Sequence, residues 1–106
     1  MEIHPLVRRM KEKILILDGA MGTMLQRAGL TADDFGGESL EGCNEMLNLT
    51  RPDLIRGIHE AYLEAGADLI ETNTFGATRI VLEEYGLGER AEEINREAAR
   101  LAVEAA

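Results

Sequence analysis

The chain has 106 residues, enough for one small domain at most. Hydrophobic residues make up 45% and charged residues 29%, which is typical of a soluble globular protein rather than a disordered one. The net charge of −9, without a basic stripe, argues against nucleic-acid binding. No apolar run approaches the roughly 20 residues that cross a bilayer, and the N-terminus lacks a secretory signal. We therefore expect a cytoplasmic protein that makes no membrane contact.

The first half of the chain predicts a buried strand followed by helices. Residues 14–17 form a continuous apolar run, which is typical of a strand buried on both faces of a parallel sheet. Asp18 and Gly19 end this run, and a short helix is expected over 21–28. Residues 31–49 contain several Gly and Asp residues and show no sustained periodicity, so we predict a long loop there.

A longer helix is predicted to begin at Thr50. The Thr50 hydroxyl can cap it, Pro52 falls in its first turn, and Asp53 occupies the partner position of a capping box. Gly66 ends the helix. Its predicted apolar face consists of Leu54, Ile58, Ala61, Tyr62 and Ala65.

The remainder predicts a second strand over 67–72, a loop over 73–76, and a short helix over 80–85 that ends in a Schellman-like turn. The last helix is expected over 89–106, with Ala91, Ile94, Ala98, Leu101 and Ala105 on its apolar face. Two apolar strands require neighbours. We therefore expect residues 1–106 to be an incomplete α/β domain, interrupted inside this helix, that needs the rest of its chain or a partner.

Two segments at predicted strand ends carry polar residues suited to ligand binding. Asp18 can hold an ammonium group and Gly19 lets the backbone approach a carboxylate, although Asp18 could equally cap the following helix. Glu71, Thr72 and Asn73, followed by Thr74, could form a polar rim after the second strand, or could simply satisfy their own turn.

The chain's one cysteine, Cys43, is a weaker candidate. It could serve as a zinc ligand or nucleophile, but zinc needs about four ligands and a nucleophile needs a nearby base. His59 is predicted to lie on the solvated side of its helix. We therefore interpret Cys43 as a small residue in a loop, and we expect no metal site and no catalytic residue within this chain.

The residues at the two strand ends resemble a known family when taken together. Residues 16–23 (ILDGAMGT) and 71–77 (ETNTFGA) look like the first two strand-end motifs of the homocysteine S-methyltransferase family. Residues 48–52 and 66–68 between them are similar to its cobalamin-dependent methionine synthase branch. The resemblance implies an α/β fold in which this chain supplies about two βα units of a (β/α)₈ TIM barrel.

The resemblance also implies a substrate and cofactors. Homocysteine would bind at the carboxyl ends of the strands, with Asp18 at its amino group and the backbone of Gly19 and Thr72 at its carboxylate; Asn73 and Glu71 are further candidates. A longer parent protein would transfer a methyl group from methylcobalamin to the zinc-bound thiol, giving methionine. The zinc cysteines of the family have no match here, so we expect this chain alone to be inactive and to carry no cofactor.

Other functions remain open on sequence alone. A cobalamin-independent homocysteine methyltransferase could use S-methylmethionine or betaine as donor, and a barrel enzyme of another chemistry is a further alternative. A non-catalytic fragment is the other class, and such a chain would self-associate through its open strand edges. In the leading interpretation the partners are homocysteine, the remainder of the barrel and the cobalamin and folate modules.

Overall fold

The computed structural model describes residues 3–106. Its α-helices are α1 (Pro5–Glu12), α2 (Met21–Arg27), α3 (Ala32–Phe35), α4 (Leu47–Thr50), α5 (Pro52–Glu64), α6 (Arg79–Leu82) and α7 (Ala91–Ala105). Short 3₁₀ turns span Glu38–Leu40, Asn44–Met46, Glu83–Tyr85 and Gly88–Arg90. The long helices α5 and α7 pack against each other and organise the rest.

Two apolar clusters hold the helices together. The first consists of Leu25, Phe35, Leu47, Ile55, Ile58 and Leu101, and the second of Cys43, Met46, Ala77, Leu82, Leu87 and Ile94. Helix α7 reaches both clusters, because Ile94 and Leu101 lie two turns apart on one face. The predicted face of this helix is confirmed at Ile94, Ala98 and Leu101, which are all buried.

The predicted strands are much shorter than expected. Within residues 3–106, β pairing is limited to one parallel bridge between Leu17 and Leu69. The amide of Asp18 donates to the Leu69 carbonyl at 2.9 Å, and the amides of Asp68 and Leu69 donate to the Ile16 carbonyl at 2.8 and 3.1 Å. The bridge nevertheless brings the two polar segments side by side.

The expectation that residues 14–17 are buried on both faces is wrong for this chain. Ile14 is 89% exposed, Ile16 58% and Leu17 48%. No further strand or helix within the described residues covers them, so a run with the composition of a buried strand faces solvent.

Tertiary packing also overturns several local predictions. Segment 31–49 is a series of short helical turns rather than a featureless loop. Thr50 does not cap α5; its hydroxyl donates to the Met46 carbonyl at 3.3 Å and ends α4 instead. The buried face of α5 is rotated from the predicted one, because Ile55, Ile58 and His59 are buried while Ala61 and Ala65 are exposed.

The turn after α6 agrees with the prediction. Gly86 adopts a left-handed φ of 72°, and the amide of Leu87 donates to the Leu82 carbonyl at 3.0 Å. These are the two marks of a Schellman motif. The motif turns the chain back so that Leu82 and Leu87 enter the same cluster.

Candidate functional site

An open cleft of about 330 Å³ lies at the ends of the two paired segments. It is lined by residues 18–22, 44–45 and 71–75. All five predicted site residues belong to this set: Asp18, Gly19, Glu71, Thr72 and Asn73. The fold therefore assembles in one place residues that the sequence separates by more than fifty positions.

The Asp18 carboxylate is oriented by the second polar segment. Its Oδ2 accepts a hydrogen bond from the Glu71 amide at 3.1 Å, across 53 residues of sequence. The alternative role as a helix cap is wrong, because Ala20 occupies the N-cap of α2 and no side chain caps that helix. The carboxylate is thus held at the cleft by contacts between segments.

Helix α5 approaches Gly19 closely through the ring of Tyr62. A Cβ atom at Gly19 would lie 3.0 Å from Tyr62 Oη and 3.1 Å from Tyr62 Cε1. The Tyr62 hydroxyl donates to the Ala20 carbonyl at 2.8 Å, so this ring supports the floor of the segment that follows Asp18. A side chain at position 19 would therefore require the Tyr62 ring to shift by a few tenths of an ångström.

The polar rim that follows Leu69 both satisfies its own turn and presents polar groups to the cleft. The hydroxyls of Thr72 and Thr74 are 2.7 Å apart, and the Thr74 amide donates to the Thr72 carbonyl at 2.9 Å. The turn therefore satisfies part of its own hydrogen bonding. Glu71 and Thr72 are nevertheless exposed at the cleft, where their polar atoms can meet a ligand.

Asn73 has a structural task within the site. It is 4% exposed, and its Nδ2 donates to the Asn44 carbonyl at 2.9 Å and to Asn48 Oδ1 at 3.0 Å. Both amide hydrogens are therefore used inside the protein. Asn73 fixes the rim relative to the segment that contains Asn44.

Sequence reasoning missed Glu45. Its Oε2 accepts from the Gly76 amide at 3.2 Å, and the residue lines the cleft beside the two predicted segments. Asp18, Glu45 and Glu71 make the lining acidic, with no Lys, Arg or His among the lining residues. No local sequence pattern predicts that Glu45 lies at the cleft, because its position depends on the path of segment 31–49 past residues 18–22 and 71–75.

His59 was predicted to be solvated and is instead completely buried. Burial lowers its pKa from the ordinary value of 6.5, and the negative charge of Asp18 opposes that change. The imidazole is therefore neutral near pH 7. It lies on the face of α5 that also carries Tyr62, three residues further on.

The described residues do not fit a zinc site. Cys43 is 1% exposed within the second apolar cluster, and burial raises the pKa of its thiol. No group of three His, Cys, Asp or Glu side chains within residues 3–106 is arranged to hold a metal ion. A thiolate-rich zinc site needs about four converging ligands, which this arrangement does not offer.

Comparison with known proteins gives the class of this chain. It matches the homocysteine S-methyltransferase family over residues 15–106 and belongs to that family. It is similar to the methionine synthase of Mycobacterium leprae (strain TN), with 50% identity over 91 residues. It is also similar to the methionine synthase of Mycobacterium tuberculosis (strain ATCC 25618 / H37Rv), with 48% identity over 93 residues.

The matches cover most of this chain but little of the relatives. They include 86% and 88% of the chain, and 7% and 8% of the two methionine synthases. The chain therefore spans less than a tenth of the length of these relatives. None of the helices in the described residues has both the length and the apolar character needed to cross a membrane.

Proposed function

We propose that this chain supplies the amino-acid-holding part of a homocysteine site within a longer methionine synthase. The observation that carries the proposal is the hydrogen bond between the Glu71 amide and Asp18 Oδ2. It joins the two family motifs at one acidic cleft. Family membership and the similarity to two methionine synthases favour homocysteine methylation over another barrel chemistry or a non-catalytic role.

The charge of the cleft suits one end of an amino acid. Asp18 Oδ2 retains a second lone pair beside the bond from Glu71, and a carboxylate oxygen can accept more than one donor. An ammonium group could bind this oxygen without competition, because no Lys, Arg or His side chain lines the cleft. The amides of Gly19 and Thr72 would then meet the substrate carboxylate, as the family resemblance implies.

The remaining parts of the activity belong to residues outside this chain. The described residues do not fit the zinc that would hold the thiol, and we propose that methylcobalamin, the methyl donor, is carried by another part of the longer protein. We propose that the rest of a (β/α)₈ barrel covers residues 14–17 and completes the site, in a cytoplasmic protein with further modules.

The test is Asp18→Asn in the methionine synthase that contains this segment. We expect homocysteine to bind at least about tenfold more weakly, because an ammonium loses a charged acceptor. Zinc content is expected to stay unchanged, since Asp18 would contact the amino group and not the metal. Isothermal titration with homocysteine and metal analysis of the same samples measure both quantities.

Asp33→Asn is the matched control. Asp33 is exposed on α3 and does not line the cleft, so the same loss of charge there should leave homocysteine affinity unchanged. Equal homocysteine affinity in the Asp18 variant and the wild type would contradict the proposed function.

A further inference from the structure

Three buried side-chain atoms within residues 3–106 have no hydrogen-bonding partner in the protein. They are Oδ1 of Asp18 and both ring nitrogens of His59. Buried polar atoms are nearly always paired, and an unpaired charged oxygen is especially costly. The unpaired carboxylate oxygen and the unpaired imidazole belong to two residues whose charges interact, because the negative charge of Asp18 acts to raise the pKa of His59.

The packing of α5 places His59 behind the cleft. Tyr62 contacts the Gly19 position and bonds the Ala20 carbonyl, so this face of α5 lies directly against the segment after Asp18. His59 lies one turn earlier on the same face and is fully buried. Tyr62 already uses its hydroxyl, whereas the ring nitrogens of His59 are buried and unpaired.

The two oxygens of Asp18 face different surroundings. Oδ2 takes the Glu71 amide and Oδ1 is buried, although Asp18 as a whole is partly exposed at the cleft. The exposed part of the carboxylate therefore does not include Oδ1. A donor from the interior can hold Oδ1 without competing with a ligand for Oδ2.

We propose that His59 is a positioning residue for Asp18: its imidazole N–H donates to one bridging water, which donates in turn to Oδ1, and this fixes the carboxylate for an ammonium ligand. The assignment rests on the proposed function for the identity of that ligand. A side chain held by a second residue keeps its orientation and binds with less loss of conformational freedom.

The experiment compares two ligands that differ only in the amino group. Homocysteine and 4-mercaptobutanoate are titrated into the methionine synthase containing this segment, as wild type and as His59→Leu and His59→Gln variants. We expect the Leu variant to bind homocysteine about tenfold more weakly and 4-mercaptobutanoate unchanged. Glutamine, which retains an N–H donor, should restore homocysteine binding to within about threefold of wild type.

Equal weakening of both ligands would show that His59 only supports packing, and unchanged homocysteine binding would show no role; either result overturns the assignment. Failure of the proposed function is a different outcome, in which the wild type does not prefer homocysteine over 4-mercaptobutanoate. The imidazole ¹⁵N spectrum of the same histidine-labelled methionine synthase, assigned with the His59→Gln variant, then decides the assignment. Shifts of a neutral His59 that move with Asp18→Asn support it, and shifts that do not move overturn it.

Discussion

Asn48 and Asn73 exchange two hydrogen bonds across 25 residues of the chain. Asn48 Nδ2 donates to the Asn73 carbonyl at 2.9 Å, and Asn73 Nδ2 donates to Asn48 Oδ1 at 3.0 Å. Both side chains are buried, at 1% and 4% exposure. The pair connects the polar rim of the cleft to α4, so the shape of the candidate site depends on Asn48, which does not line the cleft.

Asn48→Ala should lower the free energy of unfolding by about 2–3 kcal/mol, because it leaves a buried carbonyl and a buried amide hydrogen unpaired. Urea denaturation of the 106-residue chain measures the change. Asn95→Ala is the control, since Asn95 is exposed although it also donates to backbone carbonyls, and it should cost less than about 1 kcal/mol. Similar losses in the two variants would show that burial of the pair is not what stabilises the rim.

Burial of His59 should make the stability of the chain depend on pH. The pKa of His59 is lowered in the folded state, so the unfolded chain binds the proton more readily. The contribution of His59 to the free energy of unfolding is therefore complete above pH 6.5 and is lost as the pH falls below that value. The slope is at most about 1.4 kcal/mol per pH unit, the limit for one proton. Urea midpoints between pH 7.5 and 5 should show this loss in the wild type and not in His59→Gln. A persistent slope in the variant would assign it to another group.

Cys43 should be an unreactive thiol. It is buried among apolar side chains and its pKa is raised, mainly by burial, so little thiolate is available. Ellman's reagent at pH 8 is expected to react about 100-fold more slowly than with free cysteine. One thiol per chain should appear on unfolding, since the chain has a single cysteine. Rapid labelling of the native chain would contradict the burial of Cys43 in the second apolar cluster.

Gly19→Ala should destabilise the chain by about 1 kcal/mol, because the new methyl group pushes against Tyr62 and its bond to Ala20. Gly22→Ala is the matched control: Gly22 lies in α2 with nothing within 4 Å of its Cβ position. Alanine there should raise stability by about 0.5–1 kcal/mol through helix propensity. Thermal unfolding followed by circular dichroism distinguishes the two signs, and a stabilised Gly19 variant would rule out the close contact.

The 106-residue chain should self-associate through its exposed apolar segment. Ile14, Ile16 and Leu17 face solvent beside an open strand edge, which favours pairing with another chain. Size-exclusion chromatography with light scattering should show oligomers at micromolar concentration, and Ile14→Lys with Ile16→Glu should shift the population to monomer. A wild-type chain that remains monomeric at these concentrations would argue against this prediction.

Local chemistry explains what could be predicted from the sequence. Gly86 ends its turn as expected, and the ion pairs Glu92–Arg96 and Glu97–Arg100 of α7 likewise join residues within one turn, so both features depend only on near neighbours. The cleft residues were predicted from motif resemblance, and the bridge between Leu17 and Leu69 brings them together.

Only the tertiary structure decided which face of α5 is buried. The apolar pattern of 54–65 is compatible with more than one rotation, and packing with Leu101 of α7 in the first apolar cluster buries Ile55 and Ile58. Other long-range contacts bury His59, hold Glu45 at the cleft through the Gly76 amide, and pair Asn48 with Asn73. Sequence by itself determined local helical periodicity and the polar strand ends. The long-range contacts were decided by three-dimensional packing, because their partners lie many residues apart.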